Sequence, residues 1–523
     1  MNRWGALALL LAVAGALVLR VTQLDTRPLH GDEGLNATKL AALIERGDYK
    51  YDPHEFHGPS LYYAARLLAL GNSKSDLSDA QLRYVTVAFG VGLLPLLLLL
   101  RDGLGKLATA CSSVLLAVSP AMVFYSRYFI HEMALVFFTL LTLAAGWRYA
   151  RSRQAVWAAL TGMGVGLMFS TKETFVLSVL AIIMAVLATG AWDRWRSSKL
   201  AVSGEIAPPR RTRRESAMHA ILALGAAMVV WLVLFSSFFT NWSGLSDSFK
   251  TFFIWFERAG GNSPHIHPWW FYMERLLWFQ QPKGPVWTEG AILVLAIVGA
   301  IAAFFGNRSA IAQPALARFL TFYTLILTAI YSVISYKTPW CLLNFWLGAI
   351  LLAGIGAAVL IKLCRNNIAR VAVIALLLAA GTHLAVQAWR ASVSFASSRV
   401  NPYVYAHTSP HARELVKRIE AITRVSPEGL ATPLKIIAPE SYWPLPWYLR
   451  KFSKAGWWDV LPADPFAPVM LVSARLDARL DDKSGKAYIM AEFYELRPNV
   501  FMELYVERGL WEKFVATLPK DRD

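Results

Sequence analysis

Charge is what this sequence is shortest of. Asp, Glu, Lys and Arg make up 17% of its 523 residues, and apolar residues make up 56%. A soluble globular chain carries about a quarter of its residues as charges, so a chain built to be wetted on all sides is excluded. Cysteine is scarce too. Cys111, Cys341 and Cys364 are scattered without a metal-ligand spacing, and with the first expected inside a membrane helix and the last on the cytoplasmic side a disulfide framework is not expected. No internal repeat or low-complexity segment is present, so solenoids and linker-rich chains drop out. Acidic residues are outnumbered 35 to 52, for a formal charge of +17. Even so, no Lys/Arg-rich stretch alternates with aromatic residues as a base-stacking groove requires, and nucleic acid is not expected as a partner.

What the chain has instead is long apolar stretches. A membrane span needs about 20 mostly apolar residues. Eleven such runs lie at approximately 4–22, 82–100, 107–125, 132–149, 155–171, 174–192, 217–238, 287–306, 317–335, 341–361 and 370–389. The mean hydropathy of +0.41 agrees. The first run reads as a retained helix rather than a cleaved signal, because apolar residues continue through Leu17-Val18-Leu19 to Arg20 without a polar cleavage region. Basic residues gather in alternate connectors: Arg101 and Lys106; Arg148, Arg151 and Arg153; Arg194 to Arg214; Arg308 and Arg318; Lys362, Arg365 and Arg370. The positive-inside rule then makes a multi-pass protein of the cell membrane with a cytoplasmic N-terminus.

That topology sorts the rest of the chain. Outer loops fall at 23–81 and 239–286, with three short ones near 126–131, 171–173 and 336–340. The expected division is a membrane domain over 1–390 and an extracytoplasmic domain over 391–523. In the latter, "LKIIAP", "APVMLVSA", "KAYIMAEFYEL" and "VFMELYVERG" read as strands and "PHARELVKRIEAI" as a helix, which gives a small α/β domain. In the first outer loop, "GPSLYYAARLLALG" is too short to span. Pro59 suits a first turn, and Leu61, Tyr62, Ala65, Leu68 and Ala69 make one face of an interfacial helix.

Each short outer loop holds one basic residue where basic residues are disfavoured: Arg127, Lys172 and Lys337. They either snorkel to the headgroups or form a cationic cluster for a lipid phosphate. His131, Glu132, Glu173 and Trp340 lie beside them as substrate-binding candidates. The stretch "LHGDEG" follows the first run and puts Asp32 and Glu33 where the chain leaves the membrane. Asp32 is either the N-cap of a helix through "EGLNATKLAALIERG" or a general base that takes a proton from an attacking hydroxyl. "YDPHEFHGP" adds His54, Glu55 and His57. Their spacing is not that of zinc proteases. They are candidates for hydrogen bonds to sugar or phosphate, or for a divalent metal site completed by Asp32. No cofactor is otherwise called for. Trp269, Trp270, Trp278 and Trp287 form either an interfacial belt or the lining of an acceptor cleft.

The set "HGDEG", "HEFHGPSLYY", "SYKTPW", "NPYVYAHTSP" and "YWPLPWYLR" resembles the GT-C superfamily of membrane glycosyltransferases. That superfamily includes the dolichyl-phosphate-mannose protein mannosyltransferases and the lipid A aminoarabinose transferases. More narrowly, the set is similar to the flippase-activity-associated family of archaeal-type glycosylation. The resemblance implies an acidic motif at Asp32-Glu33 followed by an interfacial helix. It also implies an inverting transfer from a polyprenyl-phosphate sugar, without a nucleotide-sugar site, to a glycan, lipid or protein. Two other readings remain: a flippase of lipid-linked oligosaccharides, and a non-catalytic assembly factor. Transporters tend to place ionisable groups near the midplane and to show inverted repeats. Here the charges sit at helix ends and no repeat appears, which favours the enzyme.

Overall fold

A computed structural model describes residues 3–47, 49–54, 57–69, 77–200, 212–260, 265–305 and 311–519. Glu55 lies outside the described residues. Among these residues, seven helices are long and apolar enough to cross a membrane: Asp79–Leu104, Glu132–Ser152, Phe175–Arg196, Arg213–Phe235, Pro314–Val333, Pro339–Leu363 and Asn367–Ser394. An eighth candidate is broken, with Lys106–Val118 and Pro120–Ser126 meeting at 58°. The sequence shows one run here. Proline lacks an N–H and clashes with the preceding turn, so the helix restarts with Pro120 in its first turn. The other three expected runs fall on shorter apolar helices, Leu9–Val21, Ala155–Phe169 and Gly290–Phe305.

The chain divides into two compact units. The helical unit is Met1–Leu24, Arg46–Leu70 and Arg83–Tyr405; the α/β unit is Asp25–Glu45, Gly71–Leu82 and Ala406–Asp523. The second unit thus begins later than residue 391 and recruits two segments from far upstream.

In the helical unit, buried arginines close helix ends. The Arg20 guanidinium donates to the carbonyls of Leu116 (3.1 Å) and Ala117 (2.9 Å), at the carboxyl end of Lys106–Val118. Arg127 donates to the carbonyls of Leu19, Arg20, Thr22 and Gln23 at 2.7–3.2 Å, at the carboxyl end of Arg3–Val21. The last carbonyls of a helix have no partner within it and carry partial negative charge. A cation is therefore well placed there. The expected interfacial helix forms over Ser60–Leu68; it buries Leu61, Tyr62 and Ala65 and leaves Leu68 exposed.

The α/β unit is built on five strands: β1 Leu434–Ile437, β2 Ala455–Trp458, β3 Val469–Ser473, β4 Tyr488–Arg497 and β5 Val500–Glu507. Their order is β2-β1-β3-β5-β4. β1 is parallel to both β2 and β3, whereas β3–β5 and β5–β4 are antiparallel. Four strands and the helix His411–Arg424 lie where alternation and helical spacing place them. β2 has only "AGWW", too short to show alternation, and half of it is Ala and Gly, which have weak strand preference. The helix buries Ala412, Leu415, Val416, Ile419 and Ile422 in a core shared with Leu434, Ile436, Leu471 and Leu504.

Candidate active site

In the α/β unit, "HGDEG" begins the helix Gly31–Arg46. His30 precedes the first helical residue and is therefore the N-cap. Its Nδ1 accepts the Asp32 N–H at 3.0 Å, and the Glu33 carboxylate accepts the His30 N–H at 3.0 Å. This is a variant of the capping box, with His30 in the usual serine's place and its side chain on the second rather than the third helical N–H. Burial holds the His30 imidazole below its ordinary pKa against the pull of Asp32 and Glu33, which keeps the Nδ1 lone pair free to accept. Glu33 is fully buried and paired with Arg27 at 3.0 Å. Asp32 is neither the cap nor buried. Its side chain is 54% exposed and lies 3.7 Å from His30 Nδ1, an atom already used as an acceptor. Among the described residues no hydrogen bond engages its carboxylate.

Other motifs of the sequence hold this turn in place. The Leu29 N–H donates to Tyr448 Oη at 2.7 Å, and the Leu29 carbonyl accepts from Thr408 Oγ1 at 2.6 Å. A methyl group on Gly34 would come within 2.6 Å of Pro444 Cβ, so only glycine lets the helix approach "YWPLPWYLR" this closely. The motifs co-occur because they touch.

In the helical unit the structure brings together His57, His131, Glu132, Lys172 and Glu173. Gly58 N–H donates to the Thr171 carbonyl (3.0 Å) and Ser60 N–H to that of Ser170 (2.9 Å). A Cβ on Gly58 would lie 2.3 Å from Ser170 backbone atoms. His57 Nδ1 meets Glu173 Oε2 at 2.7 Å, and its ring stacks on Trp255 with centroids 5.3 Å apart. His131 Nε2 donates to the Gly58 carbonyl at 3.1 Å. Burial, with His57 and Lys172 nearby, pushes the His131 pKa well down. Lys172 forms a buried ion pair with Glu132; burial opposes its charge, but the Glu132 carboxylate raises its pKa above the ordinary value.

Lys337 differs from the other two basic residues. Its Nζ donates to the carbonyls of His267 and Ile334, and no carboxylate pairs with it among the described residues. Burial lowers its pKa. Around it the His265 Nδ1 and His267 Nε2 meet Tyr405 Oη at 2.7 and 3.2 Å. Phe271 is sandwiched between the His267 ring at 4.2 Å and the Arg275 guanidinium at 3.5 Å. The His267 pKa is pushed down to about 4 by burial and by Arg275, His265 and Lys337. Trp340 is buried against Tyr128 and Tyr405, with ring centroids 6.0 Å from each. His54 stands apart, its side chain 75% exposed and facing Asp52. Among the described residues no three His, Cys, Asp or Glu side chains converge as metal ligands.

Residues 57–207 match the family model described as dolichyl-phosphate-mannose-protein mannosyltransferase. No curated protein sequence matches. Among solved structures, ArnT from Cupriavidus metallidurans bound to undecaprenyl phosphate superposes with a TM-score of 0.63 at 15% identity, covering 96% of this chain and 98% of that one. The chain has a GT-C fold. Two structures of the Archaeoglobus fulgidus oligosaccharyltransferase share it. One, tethered to an acceptor peptide, gives a TM-score of 0.56 at 13% identity over 88% of this chain and 64% of that one. The other, with an inhibitory peptide and dolichol-phosphate, gives 0.52 at 12% identity over 98% and 77%.

Within this GT-C fold, sequence reading passed over Arg27, His265, His267 and Arg275. The alternation His265-x-His267 just before an aromatic run was the available signal, masked by the tryptophans around it. Arg27 had none, because its role depends on burial beside Glu33.

Proposed function

We propose that the protein is an inverting glycosyltransferase that moves a sugar from a polyprenyl-phosphate-linked donor to an acceptor hydroxyl, with Asp32 as general base. One observation carries the reading: His30 and Glu33 do the capping at "HGDEG" and leave the Asp32 carboxylate exposed and uncommitted. In the transfer, the acceptor oxygen bonds to the anomeric carbon as the bond from that carbon to the phosphate oxygen breaks. Asp32 takes the hydroxyl proton, and the polyprenyl phosphate leaves with the bonding pair. A single displacement of this kind inverts the anomeric centre. The departing phosphate needs cationic partners. Lys337, with no carboxylate partner among the described residues, takes that role, and His57, oriented by Glu173, is a further substrate-binding residue. Arg127 and Lys172, committed to helix-end carbonyls and to Glu132, support the phosphate-binding residues without touching the donor. The family match and the likeness to an undecaprenyl-phosphate-bound structure support the donor class.

The reaction takes place at the outer face of the cell membrane, with a cytoplasmic N-terminus and an extracytoplasmic α/β unit. The run of basic connectors supports this orientation. A thiol reagent applied to sealed cells should label Ser246→Cys and Lys483→Cys but not Arg213→Cys. For the activity, the purified protein is reconstituted in liposomes with a panel of polyprenyl-phosphate sugars, and sugar transfer or release is scored. Turnover of at least one donor is expected. Donor lipid moved across the bilayer with no sugar cleaved from any donor would point to a flippase instead.

A further inference from the structure

In the α/β unit the chain leaves β1 toward β2 on one side, and leaves β3 toward the β4–β5 pair on the other. The carboxyl ends of β1 and β3 are therefore a topological switch point, where open parallel sheets bind their ligands. Two polar side chains meet across it. Glu440, in the loop after β1, accepts from Ser473 Oγ at the end of β3 at 2.8 Å. Its other oxygen lies a loose 3.8 Å from Arg475, whose side chain is 75% exposed against 16% for Glu440. Arg497 donates to the Ser441 carbonyl at 2.5 Å and reaches that of Trp443 at 3.4 Å, which holds the loop in shape. Trp443 is half-buried and lies against the glycines on either side of the acidic pair. A Cβ built on Gly31 would sit 3.5 Å from Trp443 Cβ, and one on Gly34 3.5 Å from Trp443 Cε3.

We propose that this strand-end loop is a carbohydrate subsite that takes one pyranose ring of the acceptor, stacked on Trp443 and hydrogen-bonded by Glu440 and Arg475. A pyranose offers an apolar C–H face together with adjacent hydroxyls. The indole has an electron-rich face for the first, while a carboxylate accepts from the second and a guanidinium donates to it. A peptide is the poorer fit. Peptides commonly add to a free sheet edge, and β1 and β3 are both interior strands. Because Trp443 packs on the glycines that flank Asp32, the subsite adjoins the proposed base. The ligand's identity as acceptor rests on the glycosyl-transfer reading; its binding does not depend on turnover.

The test uses full-length Asp32→Asn protein in lipid nanodiscs, so that binding is read without transfer. Methyl α-D-mannopyranoside, methyl α-D-glucopyranoside and methyl β-D-galactopyranoside are titrated by saturation-transfer NMR, with a serine/threonine-containing hexapeptide as the competing class. Saturable binding of at least one glycoside is expected. It should weaken about tenfold or more in Trp443→Leu and in Glu440→Gln, as for loss of a hydrogen bond to a charged group, and survive in Trp443→Phe. Glu440→Gln keeps the side-chain shape and an acceptor for Ser473, so it reports on the site even if Trp443→Leu fails to fold. No saturable binding of any glycoside, or binding unchanged in both variants, overturns the proposal. So does a peptide, bound in place of the sugars, that is lost in those variants. Failure of the transfer reading is seen separately, as normal turnover by Asp32→Asn in liposomes.

Discussion

The helical unit and the α/β unit treat their conspicuous charges in the same way. In the helical unit Arg127 closes the carboxyl end of Arg3–Val21, and Lys172 is neutralised by Glu132, while Lys337 donates to two carbonyls and has no carboxylate partner among the described residues. In the α/β unit Glu33 closes the amino end of Gly31–Arg46 and pairs with Arg27, while Asp32 keeps an exposed carboxylate. Each unit thus has one charge neutralised in a buried pair and another outside any Lys/Arg–carboxylate pair among the described residues, and the proposed chemistry falls to the second kind. Helix ends make strong demands on nearby charge because their orphaned N–H and C=O groups must be satisfied. A charge beside such an end is a structural candidate first.

The sharpest way to break this comparison is at Asp32. Asp32→Asn keeps the shape and removes the proton acceptor, so turnover in liposomes should fall by about two to four orders of magnitude. Donor-lipid binding should be unchanged, because the base acts on the acceptor in the transition state. Near-normal turnover would make Asp32 a solvated residue of a helix's first turn and nothing more.

Next come the charges assigned to structure. Glu33→Gln strips the charge from a buried ion pair, and Arg127→Gln removes a cation from four carbonyls. Each should destabilise the protein by about 3 kcal/mol, read as a lower Tm in detergent, with turnover per folded molecule reduced far less than in Asp32→Asn. A stable Arg127→Gln protein that binds donor poorly would mean that Arg127 touches phosphate after all.

Lys337→Gln gives up two carbonyl bonds, fewer than Arg127→Gln, and should differ from it chiefly in donor binding. That binding should weaken about tenfold, the scale of one charge-assisted hydrogen bond, with a smaller fall in Tm than in Arg127→Gln. A loss of Tm without any loss of donor affinity would make Lys337 another structural cation.

The smallest effect is on pH dependence. Burial holds His30, His131 and His267 below the ordinary imidazole value of 6.5, His267 at about 4. The folded protein keeps these rings neutral, so the unfolded chain binds protons first as the pH falls. Their contribution to stability is therefore complete above about pH 6.5 and is lost as the pH drops toward 4. Tm should fall between pH 7 and pH 5, and by less in His267→Gln. A flat profile would mean that these imidazoles charge freely in the folded state.

Much of the fold is local information and could be read directly. The apolar runs marked every helix long and apolar enough to cross a membrane among the described residues, since burying a backbone in lipid demands about 20 apolar residues whatever the neighbours do. Alternation marked four of five strands. The break at Pro120 and the short strand β2 were less visible, because one residue in a hydrophobic run and four residues at a sheet edge carry little periodic signal. In the candidate site, local reading picked out stretches that the fold packs together, but not the partner each charge takes within them. Asp32 and His30 compete for the cap, and two hydrogen bonds in the folded turn give it to His30.

By itself, then, the sequence determined a multi-span helical protein with an α/β unit and an acidic turn at "HGDEG". These follow from hydrophobicity and spacing, which act within a few residues. Only the tertiary structure decided which charges are consumed and which remain. Arg127 meets carbonyls more than 100 residues away, Lys172 meets Glu132 forty residues before it, and the Asp32 turn rests on Thr408, Pro444 and Tyr448. The state of a charge depends on what surrounds it in space, and for these residues the surroundings come from parts of the chain that only folding brings together.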